Sequence, residues 1–224
     1  MSTIFKVNKI NYDLTNGLSA YWKLDDDGSG NVSLIDSTVN ENTLTNNNNA
    51  TLGIGKINGA VVLDSGLGQT LTNTSSFTPT GNSPFSFSAW VKLNEDYTFM
   101  VFSYGIPGEN NAVGLYVPTP LHLNFQFWEN GVGDIPVTAN EWHHVVGTYD
   151  GTTAKIYVNG SLEDSLVINL NIGVGEFRFN QWVNGSMGTG ICSVDEFGIW
   201  ARTLTPTEIN QLYNSGLGLT YPFN

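Results

Sequence analysis

Nine residues, Phe85-Ser-Phe-Ser-Ala-Trp-Val-Lys-Leu93, alternate without a break. Phe85, Phe87, Ala89, Val91 and Leu93 share one parity, and Ser86, Ser88, Trp90 and Lys92 share the other. Successive strand side chains point to opposite faces, so this run buries one face only, and only against a second layer. On a helix the same apolar residues would scatter around the circumference. Leu121, Leu123, Phe125 and Phe127 repeat the pattern against His122, Asn124, Gln126 and Trp128. Further strands are expected over 20–24, 60–63, 99–104, 113–117, 142–149, 154–158, 163–168, 176–180 and 194–201, separated by Gly, Asn, Pro and Asp clusters.

Asn159-Gly160 between two such runs signals a hairpin, because both residues accept the positive φ of a two-residue turn. Asp150-Gly151 marks another tight turn, and the asparagine run 46–49 reads as a loop. One helix is expected. Thr205-Pro206-Thr207-Glu208 supplies an N-cap, a proline at the first helical position and a capping-box glutamate; Ile209, Leu212 and Tyr213 form its apolar stripe, and Gly216 stops it. The expected fold is all-β: an antiparallel two-sheet jelly-roll sandwich with one short C-terminal helix. Residues 1–16 lack a clean pattern and read as an N-terminal arm, and residues 17–224 as a single domain.

Eight Lys and Arg against twenty Asp and Glu give a net charge of −12. Phosphate binding needs a cationic stripe, so nucleic acid and anionic membranes are poor partners. Charged residues make up only 12%, half of the roughly 25% usual in soluble domains, and Asn, Thr, Ser and Gly fill the deficit. Cys192 is the single cysteine, so no intramolecular disulfide forms. No apolar run approaches the ~18 residues of a membrane span. The opening Met-Ser-Thr-Ile-Phe-Lys-Val-Asn-Lys-Ile carries no secretory signal pattern.

Several segments together resemble the concanavalin A-like, laminin-G-like jelly-roll family in its bacterial and viral form. They are Gly17-Leu-Ser-Ala-Tyr-Trp-Lys-Leu-Asp-Asp26, Ile35-Asp-Ser-Thr-Val-Asn-Glu-Asn42, Gly55-Lys-Ile-Asn-Gly-Ala-Val-Val-Leu-Asp64, Phe87-Ser-Ala-Trp-Val-Lys92, Glu141-Trp-His-His-Val-Val-Gly-Thr-Tyr-Asp-Gly151 and Ser193-Val-Asp-Glu-Phe-Gly-Ile-Trp-Ala-Arg-Thr-Leu204. They stand in the family's order from about residue 17 to 216. The ending Leu212-Tyr-Asn-Ser-Gly-Leu-Gly-Leu-Thr-Tyr-Pro-Phe223 is similar to tails of laminin-G-like proteins carried by bacteriophages.

Asp195 shares parity with Phe197 and Ile199, so its carboxylate is expected to point inward, where an unpartnered charge is costly. The resemblance implies a structural calcium ion there, held by Asp195 with Asp36, Asn40 and the backbone of Asn42. Thr38-Val39 departs from the family's Ser-Gly in that loop. The alternative is that loop amides satisfy Asp195 with no metal. Asp25-Asp26-Asp27-Gly28-Ser-Gly30 lacks the glutamate of a helix–loop–helix calcium site and reads as a solvated turn. His143 and His144 are strand neighbours facing opposite ways, which disfavours a shared zinc ion.

Glucanases of the same sandwich carry alternate carboxylates on one strand, and around Asp195 and Glu196 hydrophobic or small residues stand in those places. Nucleophile elbows and phosphate-binding loops are missing as well, so the chain is expected to be no enzyme. The expected ligand site is aromatic: Trp128 with Asn130, and Trp182 with Asn184, lie near loop ends where rings and amides suit sugars. Trp90 reads instead as a residue of the fold. The sequence thus points to a non-catalytic, lectin-like carbohydrate-binding module displayed on a phage virion or outside a cell. The alternative is a virion structural or decoration protein that uses the sandwich for protein contacts, with residues 1–16 able to join copies of the chain.

Overall fold

The computed structural model describes residues 13–94 and 98–223; residues 1–12, most of the expected arm, lie outside them. Among the described residues fifteen strands form two antiparallel sheets. In chain order they are β1 (Leu18–Trp22), β2 (Thr45–Asn47), β3 (Thr51–Ile54), β4 (Gly59–Asp64), β5 (Thr70–Asn73), β6 (Phe85–Leu93), β7 (Phe99–Gly105), β8 (Ala112–Val117), β9 (His122–Phe127), β10 (Asn130–Pro136), β11 (Trp142–Tyr149), β12 (Thr153–Val158), β13 (Ser161–Val167), β14 (Phe177–Phe179) and β15 (Ile191–Trp200). The larger sheet runs β13-β12-β11-β6-β15-β4-β3. The second half of β15 pairs with β1 where its first half pairs with β4. The smaller sheet runs β10-β9-β8-β7-β14-β5-β2.

The alternation read from β6 and β9 decides the interior. Phe87 meets Phe125 across the two layers at 5.2 Å between ring centroids, and Phe197 of β15 stacks beside Phe87 at 6.4 Å. Trp22 is fully buried, stacked on Phe177 at 5.2 Å, and its indole nitrogen donates to the Asn42 carbonyl. Buried Trp and Phe bring large apolar areas into one layer between the sheets, which binds them together.

Four strands lie where no strand was expected: β2, β3, β5 and β10. The asparagine run is a correction, because Thr45–Asn47 pairs with β5 through Thr45↔Thr72 and Asn47↔Thr70. The capping box closes as expected. Glu208 N donates to Thr205 Oγ1 and Thr205 N to Glu208 Oε2, starting α1 (Pro206–Tyr213). The left-handed residue that ends α1 is Asn214, at φ 48°, two residues before the expected glycine.

The outer faces of the two sheets differ. On the larger sheet, α1 and both described chain ends seal a second apolar cluster of Leu14, Tyr21, Tyr157, Trp200, Ile209 and Leu212, with Leu219, Tyr221 and Phe223 packed on it. Residues 13–16 therefore belong to the packed body, and the Leu14 carbonyl accepts from Trp200 Nε1 at 2.7 Å. Trp90 lies in this layer, 2% exposed, beside His144 and Tyr213 at 5.2 and 5.9 Å, with the Lys56 ammonium 4.6 Å over its ring. The outer face of the smaller sheet has no such cover among the described residues.

Candidate functional site

Asp36, Asn40 and Asn42 come together, but as a clasp of hydrogen bonds on β1. Asp36 Oδ1 accepts from the amides of Tyr21 (3.0 Å) and Thr38 (2.9 Å), and Oδ2 from that of Asn42 (3.0 Å). The side-chain amides of Asn40 and Asn42 both donate to the Ser19 carbonyl, at 2.9 and 3.0 Å. Both carboxylate oxygens of Asp36 thus rest on amide protons, and the Asn42 carbonyl on Trp22 Nε1.

Asp195 is elsewhere, and its expected inward direction is corrected. Its register partner on β6 is Trp90, on the outer face of the larger sheet, while its neighbour Val194 faces the core opposite Val91. A bulge between Asp195 and Gly198, with Glu196 at φ 51°, resets the parity so that Phe197 points inward again. Asp195 is fully buried all the same, because the 55–58 loop and the C-terminal segment close over it. Its Oδ2 accepts from Ile57 N at 2.8 Å, and Oδ1 has no partner. Burial pushes its carboxyl up to about 8, and that of Glu196, which accepts from Tyr21 Oη at 2.6 Å, to about 7. The charges felt by Asp195 are those of Glu196 and Asp25. The four residues expected to share calcium are therefore not assembled around one point. No group of three or more His, Cys, Asp or Glu among the described residues is arranged for a metal.

The aromatic expectation fares differently. Trp128 and Trp182, 54 positions apart in sequence, meet on the open face of the smaller sheet, with centroids 6.4 Å apart and planes at 86°. Tyr116 of β8 extends the group, 5.1 Å from Trp182 at 51°. Gln126, Met100 and Gly114 line a hollow of only about 10 Å³ beside the rings.

Local chemistry explains each ring's position. Trp128 and Glu129 are the two central residues of the β9–β10 hairpin, and Trp128 takes a φ of 75°. Glycine is the residue at home there, so a tryptophan in that place stores strain, about 1–3 kcal/mol for such outliers. Trp182 sits in a turn closed by Gly185 N to Trp182 O and Trp182 N to Ser186 O. Arg178 of β14 ties that turn down: Nη1 lies 3.3 Å from Gln181 Oε1 and 3.4 Å from Trp182 O, while Nη2 pairs with Glu176 Oε2 at 2.7 Å.

Asn130 and Asn184 are not part of the ring surface. Asn130 Nδ2 donates to Asn110 Oδ1 at 2.9 Å, and Asn184 Oδ1 accepts from Ser186 N and Oγ, so both amides hold turns. Sequence reasoning missed Tyr116, Met100 and Arg178. The parity of β8 would have placed Tyr116 opposite the core residues Leu115 and Val117, but its nearness to Trp182 is a tertiary fact.

The profile of the concanavalin A-like lectin/glucanases superfamily matches residues 64–210. The chain belongs to this superfamily. Solved structures of the same fold include the binding domain of Paraclostridial Mosquitocidal Protein 1 (16% identity, 89% of this chain and 52% of that one, TM-score 0.71). The botulinum neurotoxin serotype C1 binding domain is similar over the same shares, at 16% identity and a TM-score of 0.70. This concanavalin A-like chain spans about half the length of those two domains. It covers 98% of domain 4 of AbnA, a GH43 extracellular arabinanase from Geobacillus stearothermophilus, solved in complex with arabinotriose (21% identity, 90% of this chain, TM-score 0.63). No curated protein matches the sequence.

Proposed function

We propose that the chain is a non-catalytic carbohydrate-binding module whose site is the corner of Trp128, Trp182 and Tyr116. The observation that carries this is the strained turn: Trp128 occupies a glycine position and its ring stands against Trp182 on the outer face of the smaller sheet. Strain kept in place at a half-buried aromatic on the outer face of a sheet is an inference toward function. Sugars stack their axial C–H groups on such rings and bond their hydroxyls to amides like that of Gln126. The solved complex of domain 4 of the arabinanase with arabinotriose supports the reading, as a domain of nearly the same extent and fold that holds a sugar. A non-enzymatic role is supported by the placement of Asp195 and Glu196. These carboxyls would hold protons near neutral pH, but they are sealed beneath the C-terminal segment on the other sheet. Display on a phage particle or outside a cell, for adhesion to host glycans, is the setting we assign, supported by the phage-like ending.

The test is a glycan array with solution affinities for wild type, Trp182→Ala and Trp128→Gly. We expect either substitution to weaken binding at least about tenfold, or about 1.4 kcal/mol. Glycine suits the turn, so Trp128→Gly should melt no lower than wild type and separate lost binding from lost fold. Silence of the wild-type chain across the array would leave the protein-contact role in a particle as the better reading.

A further inference from the structure

Resting on that reading, we infer that the ligand is an uncharged, soluble glycan chain held one sugar at a time, and is neither an acidic polysaccharide nor the face of a crystalline one. Two independent features of the platform carry this.

The first is the distribution of charge. The chain has eight Lys and Arg, of which Lys6 and Lys9 lie outside the described residues. Of the other six, Lys23, Lys56, Lys92, Lys155 and Arg202 lie on or beside strands of the larger sheet, and only Arg178 belongs to the sheet that bears the rings. Arg178 is already engaged: Glu176 neutralises it at 2.7 Å, and Nη1 holds the Trp182 turn. Its Nε is buried and has no partner, so no guanidinium edge is left for a bidentate contact with a carboxylate or sulfate. At the rim, Glu129 adjoins Trp128 and Glu109 reaches to 3.4 Å from Asn130, while the whole chain carries −12. A polyanion approaching this face meets repulsion and finds no partner for its charge.

The second is the angle between the rings. Trp128 and Trp182 stand at 86°, and Tyr116 is tilted 51° from Trp182, so neither neighbouring pair is coplanar. Binding to the flat face of a crystalline polysaccharide needs several rings in one plane. A right-angled pair instead cradles one sugar, stacking on its face with one ring and bracing its edge with the other.

The experiment compares three sets of probes at low and high salt. They are soluble neutral polysaccharides (arabinan, galactan, mannan and mixed-linkage glucan), soluble acidic ones (polygalacturonate, alginate and hyaluronan), and crystalline cellulose and chitin. We expect at least one neutral probe to bind, with little salt dependence and with a loss of about tenfold or more in Trp182→Ala. Acidic probes should bind at least about tenfold more weakly at low salt, and the crystalline solids should not deplete the protein. Tighter, salt-sensitive binding of an acidic probe, or depletion by a crystalline solid that Trp182→Ala abolishes, overturns the inference and leaves a sugar-binding module standing. Silence of the folded wild-type chain toward every probe overturns the carbohydrate reading itself, and this inference with it.

Discussion

At the residue scale, His144 shows what the covered face of the larger sheet costs and supplies. Its ring packs against both Trp90 and Tyr213 and its Nε2 is 2.9 Å from Ser88 Oγ, while Nδ1 has no partner. Burial holds the imidazole down to about 3, so the folded chain keeps it neutral. The unfolded chain takes up that proton near the ordinary value of 6.5. Below that pH the unfolded state binds more protons, so stability is lost as pH falls from 6.5 toward 3. In His144→Gln this contribution is gone. Between about pH 7 and about pH 5, its unfolding free energy in urea should fall less than that of wild type, by more than about 1 kcal/mol. Equal falls would mean that the imidazole is not held neutral. The neighbouring Asp195 shows where residue-level reading fails. Strict alternation gives it the parity of Phe197, and a single left-handed residue, Glu196, reverses that parity. The sequence carries no glycine or turn pair at Glu196 to announce the bulge. Trp128 and Trp182 were legible as aromatics near loop ends, but Tyr116 became part of the site only through a contact between distant segments.

At the element scale, the strands read correctly were those whose burial imposes a pattern. β6 and β9 press one face on the core, and their phenylalanines recur at every second place. β2, β3, β5 and β10 did not announce themselves. Thr45–Asn47 and Thr51–Ile54 end the smaller and larger sheets, largely unburied, and are held by backbone pairing more than by apolar side chains. The helix was legible because its signal is local chemistry at fixed offsets. Thr205 Oγ1 accepts from the Glu208 amide and donates to Glu208 Oε2, and Arg202 holds the same carboxylate at 2.6 Å. Thr205→Ala should cost about 1 kcal/mol. In a chain of this size that lowers the melting temperature by about 2–4 °C. Because α1 lies on the opposite sheet from the rings, glycan affinity should not change. A shift in affinity would show that the two faces are coupled.

At the scale of the whole molecule, the sandwich has one face sealed and one open. The seal is contributed by the segment after α1: Phe223 lies edge-on to Tyr21 at 5.2 Å and stacks over Trp200 at 6.5 Å, and Leu219 and Tyr221 fill the same layer. Deleting residues 219–224 would bare Tyr21 and Trp200 to water. At about 1.5–3 kcal/mol for each fully buried apolar side chain, the melting temperature should fall by more than about 4 °C and apolar-dye binding should rise. An unchanged melt would show that the segment adds nothing to the seal. Among the described residues no helix is long and apolar enough to cross a membrane.

The described chain begins and stops on that sealed face, near Trp200, with the rings on the far side of the sandwich. A support fastened at residue 13 or at residue 223 would therefore sit behind the module, leaving its tryptophans on the side away from the attachment. Copies mounted side by side would present their corners in parallel, and a feeble grip by each would add up to firm avidity for a repetitive surface.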